Sequence, residues 1–183
     1  MLKKAKHYYL IGALINAAST AIIVLLWRDS ANAHLYLSHV TASSFQSYTI
    51  MLLANVSYVT LMCFFLERFF FDHIHASKLL RLNFYLVIVT ILVVAIFPIV
   101  SGFSGMIHEN FSNLSLVFGI GIYIQLCLNK YISLKNRITI AGLVVLGLSL
   151  KVVLIPIAWQ LSLIAIGELS ILLVAYSKPR TSS

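Results

Sequence analysis

Two charged side chains, Lys151 and Glu168, lie within stretches otherwise apolar enough to cross a membrane. Glu168 is the only charge between Leu161 and Ala175, and Lys151 the only one between Ile138 and Trp159. A charge near the bilayer centre costs about 2.5–3.5 kcal/mol on insertion scales, so each demands a reason. Either the two form a buried ion pair that ties helices together, or they belong to a polar site handling a proton, an ion or a lipid headgroup. If the flanking helices end at Ala158 and begin at Gln160, Lys151 lies about 10 Å and Glu168 about 12 Å below the same surface. On antiparallel neighbours the two would then face each other in the outer half of the membrane. Burial disfavours a charged carboxylate while a nearby ammonium favours it, so the protonation of Glu168 stays open.

His108, Ser112, Ser115 and Gly119 follow one another at spacings of four, three and four, which places them on one face of a helix. Glu109 stands beside His108 at the outer mouth of that helix. Such a face points at other helices or at a water-filled cavity, and Asn16 and Asn55 add polar groups to neighbouring spans. Interhelical hydrogen bonding is the plain alternative for these serines and asparagines. Gly102 and Gly105, following Pro98, would allow a re-entrant turn or a flexible lid over an outer pocket.

Other combinations are weaker. His34, His39 and His108 with Asp29 or Glu109 are zinc-ligand types, but their spacing matches no zinc signature, and no metal or other cofactor is expected. Asp72, His73 and His75 read as a solvated face beside Lys78. There is no glycine-rich phosphate loop, no Gly-x-Ser-x-Gly elbow and no His-Glu-x-x-His. Catalytic residues therefore stay unassigned.

The elements that must hold these groups follow from composition. Of 183 residues, 61% are hydrophobic and 10% charged, with mean hydropathy +0.98. Soluble domains carry roughly a quarter charged residues, so the class is an all-α, multi-pass membrane protein. Six apolar segments are marked at 8–27, 45–66, 82–100, 107–128, 138–158 and 160–176, each near the ~20 residues a crossing needs. They form one domain, a six-helix bundle over residues 1–183, and the first segment reads as a retained helix rather than a cleaved signal. Of the 13 basic residues, all but Arg28 and Lys151 flank these segments on one side. The positive-inside rule puts that side, and both termini, in the cytoplasm.

The net charge of +8 is thus an orientation signal, and no nucleic-acid partner is expected. Trp27, Tyr48 and Trp159 mark an outer aromatic belt, and Tyr8, Tyr9, Tyr131 and Tyr176 an inner one. The 67–81 connection, with three consecutive phenylalanines beside charges, reads as a helix lying on the inner leaflet. Cys63 and Cys127 read as packing residues rather than a disulfide.

The 95–109 stretch ends a span in Phe97-Pro98, turns through Gly102 and Gly105, and opens the next span with His108. In this it resembles the prokaryotic membrane family called domain of unknown function 998, which looks related to the Frag/DRAM group. Gly167-Glu168 is similar to a Gly-Glu or Gly-x-x-Glu position in the same group. The resemblance implies a six-helix bundle in a prokaryotic inner membrane, with an outward-facing polar pocket bounded by His108 and Glu168. Some members of the wider group are tied to lipid remodelling, which implies a lipid headgroup as ligand.

The expected function is binding of a lipid or small amphiphile by His108, Glu109, Ser112, Ser115, Lys151 and Glu168. In that reading Lys151 anchors an anion and His108 is the pH-sensitive hydrogen-bond partner. The rivals are a small proton-coupled transporter, an intramembrane lipid-modifying enzyme, and a structural subunit of a larger membrane complex. Membrane lipids, a second copy or that complex would be the partners.

Overall fold

The computed structural model describes the backbone of residues 2–27, 37–99, 102–154 and 156–177. Arg28, Asp29, His34, Lys178 and Arg180 lie outside the described residues. Every described element is helical: α1 (Leu2–Trp27), α2 (Leu37–Thr41), α3 (Phe45–Phe65), α4 (Phe71–His73), α5 (Lys78–Ile96), α6 (Phe103–Leu128), α7 (Leu134–Ser149) and α8 (Pro156–Ala175). Five stretches are long and apolar enough to cross a membrane: Ala5–Trp27, Phe45–His73, Lys78–Ile96, Phe103–Leu128 and Ala158–Ala175. Their outward surfaces are apolar, with Leu25 and Phe45 about four-fifths exposed. In water such a surface would be untenable; in lipid it is the solvated face.

Local chemistry sets the helix ends. Ser44 caps α3 by accepting from the Ser47 amide while the Ser47 hydroxyl accepts from the Ser44 amide, a reciprocal capping box. Ser77 and Ser133 accept from the Leu80 and Asn136 amides to start α5 and α7. Gly102 supplies the positive φ, +87°, from which α6 begins.

The 67–81 connection departs from its expected surface helix. α3 runs through a π-helical turn, Leu66–Phe70, directly into α4. The wider turn inserts one extra residue and rotates the register, and Leu66, Phe69, Phe70 and Phe71 all become buried. They join Tyr9, Phe65 and Phe84 in an aromatic cluster, with Tyr9 stacked on Phe65 at 4.6 Å and Phe70 edge-on to Phe84 at 5.6 Å. The run then stops sharply. His75 adopts φ +48°, the Ala76 amide donates to the Phe71 carbonyl at 2.8 Å, and the His75 amide to that of Asp72 at 3.2 Å. This paired arrangement is a Schellman stop.

α7 is also shorter than expected. It ends at Ser149, followed by a 3₁₀ turn at Leu150–Val152, and Pro156 opens α8. Proline has no amide hydrogen to continue a helix and is tolerated at a helix start, so the 138–158 segment cannot be one straight rod. The two cysteines are both free and half-buried.

Candidate functional site

A cavity of about 430 Å³ opens between α3, α5, α6, α7 and α8. Along α6 it reaches from His108 to Tyr123, a length of about 22 Å at the helical rise. The α6 wall carries His108, Ser112, Ser115 and Gly119 together, the face their spacing predicts. Met51 and Leu52 from α3, Ile91 and Val94 from α5, Val144 and Leu148 from α7, and Leu163 and Ile166 from α8 supply the apolar walls. Asn55, Tyr48 and Gln160 add uncharged polar groups. Among the described residues no Asp, Glu, Lys or Arg lines it.

The mouth is held by hydrogen bonds across elements. The Tyr48 hydroxyl donates to the Ile96 carbonyl at 2.7 Å, joining α3 to α5. The Leu37 amide donates to Gln160 Oε1 at 2.7 Å, joining α2 to α8. The stretch ahead of α6 is tied back too: Ser104 donates to the Pro98 carbonyl at 2.9 Å, and His108 Nδ1 lies 2.7 Å from the Phe97 carbonyl. A carbonyl can only accept, so Nδ1 carries hydrogen and Nε2 of the neutral ring is an acceptor. The first turns of α6 are thus fastened to Phe97 and Pro98 at the end of α5. His39 on α2 faces this corner, and burial together with His108 holds its pKa below the usual histidine value.

The remaining expected site residues lie elsewhere. Glu109 is exposed, because consecutive helical residues point about 100° apart. Lys151 and Glu168 do not pair. With α7 ending at Ser149, Lys151 sits in the exposed 3₁₀ turn, its Nζ 5.2 Å from the centre of the Trp159 ring. An ammonium over an indole face is held without a carboxylate. Glu168 lies twelve residues into α8, about 18 Å from its start. The depth expected for Lys151 assumed a helix that continued to Ala158. Among the described residues the one ion pair is Arg81 with Asp72, at 3.4 Å on the surface.

Glu168 instead belongs to a tyrosine cluster. The Tyr9 hydroxyl donates to its carboxylate, and Tyr58 stands beside the same group. Tyr123 adjoins the cluster: a Cβ added at Gly167 would lie 3.0 Å from its hydroxyl. Tyr9, read from sequence as an interfacial anchor, is almost fully buried at 1% exposed. Its signal was the small and polar stripe Ala5, Tyr9, Gly12 and Asn16 at helical spacing, of which Gly12 packs on Tyr58 and Leu61.

His73 and His75 are engaged in other contacts. His73 stacks on Phe69 at 4.7 Å and donates through Nε2 to the Val174 carbonyl at 3.2 Å, and His75 lies over Tyr131. No group of three His, Cys, Asp or Glu side chains suited to a metal occurs among the described residues. Compared with known proteins, the chain matches no family model, no curated protein and no solved structure.

Proposed function

We propose that this chain is an integral membrane protein that holds a neutral, single-chain amphiphile in the cavity beside α6. The observation that carries the reading is a cavity of about 430 Å³ that runs along α6 and is lined by aliphatic side chains and by uncharged hydrogen-bonding groups. Ligand pockets typically occupy roughly 300–1,000 Å³ and combine apolar walls with a few placed polar groups. His108 Nε2 and the Ser112 hydroxyl would meet a hydroxyl or amide head, and Ile91, Val144 and Leu163 the hydrocarbon. A phosphate or carboxylate head finds no Lys or Arg among the described lining residues, and Lys151 lies outside that lining. A monoacylglycerol, fatty alcohol or fatty amide fits the chemistry.

Six crossings with both termini cytoplasmic remain the topology that fits best. α7 and its 3₁₀ extension together reach about 30 Å, the thickness of the hydrocarbon layer. Lys78, Arg81, Lys130 and Lys135 cluster at the ends away from the cavity mouth, in line with the positive-inside rule. A prokaryotic inner membrane rests on the resemblance of the 95–109 stretch alone.

Gly119 provides the test. It lines the cavity, and a Cβ there meets nothing within 4 Å. Gly119→Leu therefore fills the cavity without a clash. Native mass spectrometry of protein released from mild detergent should show an amphiphile adduct on the wild type and none on Gly119→Leu. An adduct equally present on both proteins, or none on the wild type, would defeat the reading.

A further inference from the structure

Glu168 is a membrane-embedded carboxylate with no ion-pair partner among the described residues. From α1 the Tyr9 hydroxyl donates to it, Tyr58 of α3 stands beside it, Tyr123 of α6 touches its neighbour Gly167, and α7 carries no titratable side chain from Ile138 onward. Tyrosine hydroxyls are thus the polar groups gathered around it. An ionised carboxylate only accepts, so Tyr9 and Tyr58 can both donate to it. A protonated carboxyl must also donate, and its proton then requires an acceptor oxygen. Tyr9 is locked by burial and by its stack on Phe65. The Tyr123 hydroxyl is seated against Gly167, the residue before Glu168, on a ring that lines the cavity.

We propose that Glu168 is a proton-binding site coupled to the cavity through Tyr123, so that loading the cavity with a hydrocarbon chain draws one proton onto the carboxylate. The proposal rests on the cavity being a ligand site. One proton from bulk water adds to a carboxylate oxygen, no bond breaks, and the Tyr123 oxygen receives the new hydrogen bond. The direction follows from solvation. Hydrocarbon in the cavity displaces water from the Tyr123 side of the cluster, which costs the charged form more than the neutral one. Coupling between two sites is reciprocal, so the protonated protein binds the chain more tightly. An intramembrane carboxylate whose charge depends on cargo can couple cargo to a proton gradient.

Calorimetry with 1-monomyristoylglycerol and the full chain in mild detergent, repeated in buffers of different ionisation enthalpy, measures protons taken up on binding. The wild type should take up a substantial fraction of one proton near neutral pH and bind about tenfold more tightly at pH 5 than at pH 8. Glu168→Gln, which keeps an acceptor for Tyr9 and Tyr58, should bind with no uptake and little pH dependence. Tyr123→Phe should bind with reduced uptake. Wild-type binding without proton uptake overturns the coupling and leaves the cavity reading standing. Uptake retained in Glu168→Gln assigns the proton to His108 or His39 at the mouth and also overturns it. No binding by the wild type at any pH defeats the cavity reading and this proposal with it.

Discussion

The two ends of the bundle are packed on opposite plans. At the end that holds the π turn, Tyr9, Phe65, Phe70, Phe71, Phe84, Leu126, Ile132 and Ile140 are each under 2% exposed and belong to one continuous cluster. At the opposite end the described core cluster shrinks to Ile23, Leu37 and Val40, and the space beside α6 stays open. Residue size accounts for the difference. The first end carries rings that reach across between helices, whereas Ser112, Ser115 and Gly119 are too short to meet the opposite wall. A closed plug at one end lets the other remain hollow without loss of alignment. Close packing and open space are therefore assigned to different ends of the same helices.

The contrast can be broken most directly by paired truncations. Phe84→Ala should cost about 3–5 kcal/mol, since it removes a ring packed edge-on to both Phe70 and Phe71. Ile91→Ala, on the cavity wall, should cost less than a usual Ile truncation of about 2–5 kcal/mol, because the side chain already borders empty space. Denaturation in mild detergent compares the two, and equal losses would abolish the distinction. A smaller effect is expected at the boundary between the regions. Tyr9→Phe leaves the Glu168 carboxylate short of one donor and should cost about 1–3 kcal/mol in the same assay; an unchanged stability would mean that Tyr58 alone satisfies the carboxylate.

The smallest effect is at the mouth. His39 has a lowered pKa, so its neutral form is favoured in the folded protein. The stability it contributes is complete above the ordinary histidine pKa, declines as pH falls below that value, and is gone below the lowered folded value. Hydrogen exchange across Leu37–Thr41, corrected for intrinsic rates, should therefore show more opening at pH 5 than at pH 7.5. His39→Gln should flatten that dependence; if it does not, another group loosens α2.

What was legible in the sequence was what depended on near neighbours. The α6 face from His108 to Gly119 could be read because helical spacing is a local property, and five of the six apolar runs located the spans at α1, α3, α5, α6 and α8. The relation of Lys151 to Glu168 could not be read. It depended on where α7 ends, and a 3₁₀ turn and a proline start moved Lys151 to the surface while leaving Glu168 deep. The tyrosine cluster was hidden for a different reason. Tyr9 and Glu168 are 159 positions apart, and a tyrosine near a span end looks the same whether it faces headgroups or a carboxylate. The phenylalanines after Phe65 misled similarly, because a single π turn changes which side of the helix they occupy.

The early end of α7 has a consequence for the surrounding lipid. α6 is 26 residues long, about 39 Å, whereas α7 is 16 residues, about 24 Å, and reaches about 30 Å only with the 3₁₀ turn that carries Lys151. A bilayer around this chain would therefore meet a charge at Lys151 close to Leu148 and the cavity, and the ammonium would snorkel toward the headgroups there.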